Sequence, residues 1–305
     1  MTDICVTGEA LVDFVPDAQG TRKWTAGGSG LNTALALARL GVATSFAGTL
    51  SRDENGQRLA AFMRAEQISL THIHESNKPC PHVLVSKNAQ GSPHYDLHLA
   101  GSALEDAPAI WQWPSGVRHF HATSFASTLG QSGAAAYAAL HAAHGVIGTS
   151  FDPNIRSGIF PDRALIPLLL TERIRHADIV KVSSEDLDAI APGILHDHVI
   201  GEWRALGIPL LLVTRGAQGA VALSGDMVVE VAAKKVDVCD TVGAGDTFMA
   251  AFLAAMHDEQ ALGARPVFRM EQIARWLDFA TRAAAWCCMR PGADPPTRNL
   301  LDTQP

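Results

Sequence analysis

Gly243, Gly245 and Asp246 lie within four consecutive positions, where a turn leads into an apolar segment. Glycine in the first turn of a helix costs about 0.5–1 kcal/mol relative to alanine, so helix stability does not explain the two glycines. Without side chains in the way, the backbone N–H groups of residues 243–246 can point at an anion, and the helix dipole adds positive potential there. The segment therefore predicts a phosphate-binding site.

Asp246 is the residue beside this site whose charge needs an explanation. A carboxylate repels an anion unless it has a task of its own, and a base that takes a proton from an attacking hydroxyl group needs this position. The alternative is an acid that only favours the helix dipole, by about 0.3–1 kcal/mol. The neighbouring glycines favour the catalytic interpretation, in which Asp246 is the general base of a phosphoryl transfer.

The segment from Asp240 to Asp246, D-T-V-G-A-G-D, resembles the signature D-T-x-G-A-G-D of the PfkB family, the ribokinase-like carbohydrate kinases. In that family the signature supplies an anion hole and the catalytic base. The resemblance implies that Gly243, Ala244 and Gly245 form the anion hole and that Asp246 is the base. It also implies a monovalent cation, such as K⁺, near Asp240.

Residues in the first part of the chain resemble the sugar-binding part of the family. The segment G-G-S-G-L-N, which begins at Gly27 and Gly28 and ends at Asn32, is similar to the family's G-G-x-x-x-N. Asp13 matches an aspartate that follows the family's first strand. The resemblance implies that these four residues hold the hydroxyl groups of a sugar, whereas a turn-forming acid and a glycine-rich turn before a helix are the structural alternatives.

The segment F-D-P-N-I-R places Asp152, Asn154 and Arg156 at alternate positions, and an extended chain would put them on one side. D-x-N-x-R is similar to the version found in fructokinases and 2-keto-3-deoxygluconate kinases. The resemblance implies that Asn154 and Arg156 bind substrate, with the guanidinium group reaching the sugar or the transferring phosphate. A structural D-P turn is the alternative.

The segment V-K-V-S-S-E-D-L occupies the place of the family's N-x-x-E, whose side chains organise Mg²⁺, its water shell and the nucleotide phosphates. The resemblance implies a nucleotide contact for Ser183 and a metal role for Asp186, which is one methylene shorter than glutamate. A helix N-terminus explains the same residues equally well.

Three glycines and a threonine are assigned to the nucleotide by resemblance. The segment V-T-R-G-A-Q-G is similar to the family's V-T-x-G-x-x-G, which implies that Thr214, Gly216 and Gly219 lie near the phosphates and ribose of ATP. Gly292 belongs to a C-terminal helix and loop that in the family border the adenine.

Alternating strand and helix patterns must position these residues. Apolar runs predict strands at 4–7, 43–48, 118–124, 146–151, 179–182, 210–214 and 236–238, and helices at 31–40, 57–65, 132–144, 164–176, 198–206 and 244–257. This succession indicates an α/β fold with a doubly wound, mostly parallel sheet flanked by helices, whose ligands bind outside the carboxyl ends of the strands. We predict a single ribokinase-like domain over residues 1–305.

Short alternating runs at 12–26 and 72–103, with a turn at 88–91, predict a small β-sheet inserted in that domain. The resemblance implies that this sheet is a lid over the sugar. A half-exposed sheet of this kind often forms dimers, so a homodimer through the lid is compatible with the sequence.

Composition excludes several classes of protein. The net charge is −7 without basic clusters, which disfavours a nucleic-acid partner. The five cysteines form no C-x-x-C pair, and the start of the chain lacks a signal peptide's basic region. No apolar run reaches the length of about 18 residues that a membrane span requires. We therefore expect a cytoplasmic protein without a membrane partner.

The sequence predicts an ATP- and Mg²⁺-dependent sugar kinase, with D-fructose as the preferred acceptor and fructose 6-phosphate as product. A 2-keto-3-deoxygluconate kinase or another PfkB sugar kinase is the alternative, because the lid segment H-Y-D-L-H-L lacks an arginine common in fructokinase-like relatives. A non-catalytic sugar-binding regulator is the alternative from a different class. A P-loop kinase is excluded because no Gly-Lys pair occurs, and G-E-A-L-V-D after the first strand does not match a dinucleotide fingerprint.

Overall fold

The computed structural model describes residues 2–17, 19–87, 93–156, 158–160 and 162–303. Its strands are β1 (Ile4–Thr7), β2 (Leu11–Pro16), β3 (Arg22–Gly27), β4 (Thr44–Ala47), β5 (Thr49–Ser51), β6 (His74–Ser76), β7 (His82–Lys87), β8 (Pro93–His98), β9 (His119–Thr123), β10 (Gly148–Asp152), β11 (Ile179–Ser183), β12 (Leu210–Thr214), β13 (Ala220–Ser224) and β14 (Met227–Val231). Its α-helices are α1 (Ser29–Arg39), α2 (Glu54–Ala65), α3 (Gly130–Ala143), α4 (Ile166–Ile174), α5 (Ser184–Ile190), α6 (His196–Ala205), α7 (Ala244–Asp258), α8 (Met270–Cys288) and α9 (Arg298–Asp302).

The main sheet has eight strands in the order β14-β13-β12-β11-β10-β9-β1-β4. The six strands from β4 to β12 in this order pair in parallel, and β13 and β14 join one edge in antiparallel fashion. Every residue of β1 and β9 is buried, as expected for parallel strands covered by helices on both faces. The predicted doubly wound, mostly parallel sheet is confirmed.

Alternation along the strands divides the core into two layers. In β12, Leu210 and Leu212 pack in the layer that contains α1, α7 and α8. Leu211 and Val213 pack in the opposite layer with α3, α4 and α6. Helix α7 is buried at every position from Asp246 to Met256 and contacts both α1 and α8. The N-terminal turn of α7, which carries Gly245 and Asp246, therefore belongs to a helix that the core encloses.

A separate four-stranded sheet has the order β3-β2-β7-β8. It covers most of the two predicted lid segments, but β6, inside the range 72–103, pairs with β5 instead. Strands β7 and β8, on either side of the predicted turn, pair in antiparallel fashion, and the turn itself, at 88–91, lies outside the described residues.

One predicted strand is wrong. Residues 236–238 adopt no regular structure, although they carry two valines. The amides of Cys239 and Asp240 both donate to the carbonyl oxygen of Cys288, at 2.8 and 3.2 Å. The approach to α7 is therefore held by the end of α8 rather than by the sheet. In the part of the chain that the structure describes, no helix combines the length and apolar character needed to cross a bilayer.

Candidate active site

The N-terminus of α7 is open to a ligand. Gly243 precedes the helix with φ 77°, and a Cβ atom on it would lie 2.6 Å from Cβ of Ala293, so only glycine fits. No side chain caps the helix, and among the described residues the N–H groups of Gly245 and Asp246 find no acceptor. The Ala244 amide differs from the prediction, since it donates to a carbonyl oxygen of the preceding turn at 3.2 Å. Free amides at a helix N-terminus suit an anion.

Asp246 is 5% exposed and accepts hydrogen bonds on both carboxylate oxygens. Ser29 Oγ donates to Oδ1 at 2.6 Å, and Asn32 Nδ2 donates to Oδ2 at 2.9 Å. Asn154 Nδ2 lies 3.4 Å from Oδ1. Hydrogen bonds to a carboxylate are stronger than those between neutral groups, so the first turn of α1 fixes the orientation of Asp246.

A buried network supports Ser29. Its hydroxyl oxygen lies 2.8 Å from Thr123 Oγ1, and its amide donates to Glu9 Oε1 at 2.8 Å. Ser124 Oγ donates to the other carboxylate oxygen of Glu9. Burial raises the pKa of Glu9, and these two donors oppose that rise. Helix α1, which follows Gly28 without a side-chain cap, therefore takes a cap from a residue outside the helix.

Two of the predicted sugar residues, Asp13 and Asn32, carry oxygen atoms that can act as acceptors. Asp13 lies on β2, and its Oδ2 would be 2.2 Å from a Cβ atom on Gly27, so glycine makes room for the carboxylate. Burial raises the pKa of Asp13 to about 6. Within the described residues Asn32 Oδ1 is buried without a hydrogen-bond partner. A carboxylate and an amide oxygen with no partner among the described residues can accept hydrogen bonds from sugar hydroxyl groups.

Lys181 lies on β11 directly beneath this helix end. Its Nζ is 3.0 Å from Asp152 Oδ2 and would be 3.0 Å from a Cβ atom on Gly245. The two charged side chains are 4% and 1% exposed. Burial raises the pKa of Asp152 to about 7, against the opposing effect of the Lys181 ammonium group. Burial acts to lower the pKa of Lys181, but the carboxylates of Asp152 and Asp186 outweigh it and the pKa is raised.

The prediction that Asp152, Asn154 and Arg156 share one side of an extended segment is wrong. Asn154 has φ 38°, a left-handed conformation that reverses the chain. Asp152 consequently faces Lys181, and the Asn154 amide faces the carboxylate of Asp246. Arg156 is exposed, with Nη1 3.4 Å from the carbonyl oxygen of Ile155.

Ser183 and Asp186 form a capping box at the start of α5, which confirms the helix-terminus interpretation of S-S-E-D. Asp186 Oδ1 accepts from the Ile155 amide at 2.6 Å, and Oδ2 accepts from the amide and hydroxyl of Ser183 at 2.8 and 2.7 Å. Because protein donors engage both oxygens, direct metal ligation by Asp186 fits poorly. Within the described residues, no three His, Cys, Asp or Glu side chains group in a way that suits a metal ion.

The predicted nucleotide residues lie around the same edge of the sheet. Thr214 ends β12 and pairs with Ser183, while Gly216 and Gly219 form the turn into β13. Asp240 accepts from the amide of Val242 at 3.1 Å and from the amide of Gly292 at 2.8 Å. The loop before α7 is therefore joined to the loop after α8. The nucleotide roles of these residues stay predictions.

Sequence reasoning missed Glu9, Ser29 and Lys181. A lysine within the buried strand I-V-K-V is a usable signal, because an isolated charge in a parallel strand needs a partner. Glu9 and Ser29 carry no comparable signal, since their contacts join segments distant in the sequence.

Known proteins resemble this chain over nearly its whole length. A family model described as pfkB family carbohydrate kinase matches residues 1–299. The fructokinase of Rhizobium leguminosarum bv. trifolii is 33% identical over 282 residues, covering 88% of this chain and 84% of that protein.

Among solved structures, the fructokinase of Vibrio cholerae O395 with bound fructose, ADP and calcium ion has a TM-score of 0.87 at 26% identity, covering 99% of this chain and 98% of that one. Aminoimidazole riboside kinase from Salmonella enterica, in complex with aminoimidazole riboside and an ATP analogue, has a TM-score of 0.82 at 24% identity, covering 99% of both chains. The second likeness shows the fold alone.

Proposed function

The chain belongs to the pfkB family of carbohydrate kinases, and from this premise we propose that it transfers the γ-phosphoryl group of ATP to D-fructose, giving fructose 6-phosphate. The observation that carries the proposal is the position of Asp246, a buried carboxylate beside the uncapped amides at the start of α7. A base and an anion site in contact match the needs of phosphoryl transfer to a hydroxyl group.

In the proposed mechanism, Asp246 accepts the proton of the 6-hydroxyl group while that oxygen attacks the γ-phosphorus. The new O–P bond forms as the bond from the γ-phosphorus to the β,γ-bridging oxygen breaks, and ADP leaves with the electron pair. The amides of Gly245 and Asp246 donate to the phosphoryl oxygens. General-base catalysis contributes about 10²–10⁴-fold, and each well-placed donor to developing charge contributes a comparable factor.

The sugar would be held on the side of the site opposite the nucleotide. Asp13 and Asn32 Oδ1, which has no partner among the described residues, would accept hydrogen bonds from the sugar hydroxyl groups. Glycine at position 27 leaves room for the Asp13 carboxylate, and the backbone of Gly27 and Gly28 would lie beside the sugar. Asn154 and Arg156 would contact the sugar or the transferring phosphate from the loop after β10. Alignment of the acceptor hydroxyl by such contacts lowers the entropic cost of the reaction.

We propose that Mg²⁺ enters as the MgATP complex, because the engaged oxygens of Asp186 leave the protein few ligands of its own. Such an ion is coordinated mainly by phosphate oxygens and water, and its charge assists departure of ADP. A monovalent cation such as K⁺ would be held by backbone carbonyl groups near Asp240, whose carboxylate already braces the loop.

A panel of sugars assayed with ATP and Mg²⁺ tests the substrate. We expect the highest kcat/KM for fructose, because a relative similar in sequence and a solved structure similar in fold are both named fructokinases. A kcat/KM at least tenfold higher for 2-keto-3-deoxygluconate, ribose or another sugar would replace fructose by that substrate. Sugar binding without any ADP formation would establish the regulator instead.

We further propose a cytoplasmic homodimer that pairs through the lid sheet. Val15 on β2 and Leu97 on β8 are 38% and 42% exposed, so a second copy of the chain packed on this sheet would cover apolar side chains. Light scattering of the purified protein should give twice the mass of the chain. A monomeric mass at micromolar concentration would contradict the dimer.

A further inference from the structure

We propose that Lys181 is a positioning residue for phosphoryl transfer, whose ammonium group, oriented by Asp152, supplies positive charge beneath the amides of Gly245 and Asp246. This inference rests on the proposed function of the same site. It adds a role for a side chain that touches neither the sugar nor the nucleotide in the mechanism above.

The position of Lys181 is set by the sheet. Ile179, two residues earlier on β11, packs in the core layer that contains α7, so Lys181 projects toward the same helix. Its Nζ would be 3.0 Å from a Cβ atom on Gly245. No side chain can therefore stand between the ammonium group and the first turn of α7, which gives Gly245 a second reason to be glycine.

The charges around Lys181 are mostly negative. Carboxylates face it from three elements: Asp152 on β10, Asp186 on α5 and Asp246 on α7. His121 on β9 also faces it, but burial lowers the pKa of this histidine to about 3, so the ring is neutral. Because the pKa of Asp152 is raised to about 7, its carboxyl group is only partly ionised at neutral pH, but Asp186 and Asp246 still outnumber the single ammonium group. The transferring phosphoryl group must fit into this negative surplus. Without Lys181, no charge on these four elements would offset that surplus.

The alternative, that the ion pair between Asp152 and Lys181 is purely structural, leads to a different prediction. Replacement of both partners of a buried pair by neutral side chains of similar shape is often neutral or stabilising, whereas removal of one partner leaves an unpaired buried charge. If the pair only holds strands together, the doubly neutral protein should keep its activity. If Lys181 supports the transferring group, the doubly neutral protein should be stable and slow.

The test compares Lys181→Met with Asp152→Asn/Lys181→Met. We expect kcat to fall at least ~10-fold in both, with KM for sugar and ATP within ~3-fold of wild type, because the lost charge acts mainly on the transition state. The double variant should recover the thermal midpoint that the single variant loses, so it carries the test even if Lys181→Met does not fold. Wild-type kcat in the double variant would overturn the proposal.

Lys78→Met is the matched control, because the Lys78 side chain is 43% exposed and, within the described residues, forms an ion pair with Glu105 alone at 3.4 Å. Its kcat should equal that of wild type. A comparable loss of kcat in this control would overturn the proposal, since the effect would then follow from any lost lysine.

A binding measurement separates this inference from the proposed function. Calorimetry with ADP, Mg²⁺, aluminium fluoride and fructose reports on a mimic of the transferring group without turnover. We expect the double variant to bind this mimic at least ~10-fold more weakly than wild type and to bind ADP alone equally well. Equal affinity for the mimic, or no binding to wild type, would overturn the role of Lys181. Failure of wild type to phosphorylate any sugar would reject the proposed function instead.

Discussion

Ser29 Oγ donates a 2.6 Å hydrogen bond to Oδ1 of Asp246, across 217 residues of sequence. A serine hydroxyl group has one proton, so the 2.8 Å contact between Ser29 and Thr123 requires Thr123 to be the donor. The carboxylate is thus oriented by a chain of donors that begins on β9 and passes through the first turn of α1.

Ser29→Ala should lower kcat about tenfold and change KM for the sugar less, because the carboxylate loses one of its two short hydrogen bonds and with it part of its orientation. Steady-state kinetics with the preferred sugar measures the effect. Ser132→Ala, a buried serine on α3 in the opposite layer, is the control and should keep the wild-type kcat. An unaltered kcat in Ser29→Ala would show that the remaining contacts suffice.

Asp246→Asn should lower kcat by at least ~100-fold while sugar affinity changes little, since the amide keeps the shape of the carboxylate but cannot accept the hydroxyl proton. Single-turnover assays and sugar titration measure the two quantities separately. Asp258→Asn makes the same change at the other end of α7 and should leave kcat unaltered. A wild-type rate in Asp246→Asn would remove this residue from the mechanism.

The raised pKa of Asp13 leads to a prediction for the pH dependence of kcat/KM for the sugar. Burial raises the pKa of Asp13 to about 6. The ionised carboxylate accepts hydrogen bonds from hydroxyl groups on both oxygens, whereas protonation turns one of these acceptors into a donor. We therefore expect kcat/KM for the sugar to fall about tenfold for each unit of pH below about 6. Asp226→Asn, in an exposed turn, should keep the wild-type profile. A flat profile down to pH 5 would contradict the role of Asp13.

The same group predicts a change in stability. An aspartate whose pKa is higher in the folded than in the unfolded chain binds its proton more tightly when folded, so its stabilising effect is present below about pH 4 and is lost as pH rises through about 6. Asp13→Asn should therefore raise the thermal midpoint at pH 7.5 by at least about 2 °C. A lower midpoint for this variant would show that the ionised carboxylate stabilises the fold.

Arg156→Ala should weaken sugar or phosphate contacts, raising KM or lowering kcat at least about threefold, with an unchanged thermal midpoint, because the side chain is exposed. Arg163→Ala, another exposed arginine nearby, is the control and should behave as wild type. A large loss of thermal stability with normal kinetics would show that Arg156 is structural.

The sequence predicted those parts of the site that depend on short stretches of chain. Gly243, Gly245 and Asp246 form one local signature, and the structure places them at one helix end. Apolar alternation likewise predicted most central strands within about two residues. These features follow from local geometry, which neighbouring residues largely determine.

The parts that could not be predicted depend on contacts between distant segments. Nothing in the sequence near Ser29 or Glu9 shows that Ser29 orients the Asp246 carboxylate and that Glu9 caps α1. The inference that Asp152, Asn154 and Arg156 share one side was wrong because it assumed an extended chain. Asn154 has a positive φ, which reverses the chain direction, and residue spacing gives no sign of this. For Asp186, the sequence allowed two explanations, a metal role implied by the family and a role at a helix N-terminus. The geometry of the capping box favours the helix N-terminus.

Helix α7 is enclosed along its length, and near its middle Phe252 packs edge-on against Trp276 with ring centroids 5.7 Å apart. Because a close-packed interior transmits small displacements, a substitution at this aromatic pair would shift the Asp246 carboxylate and the amides of the first turn together. The packing of the core around α7 would therefore affect the rate of turnover. Core substitutions that adapt such a protein to a colder or hotter habitat would change its turnover rate, even though no group in contact with the substrate is altered.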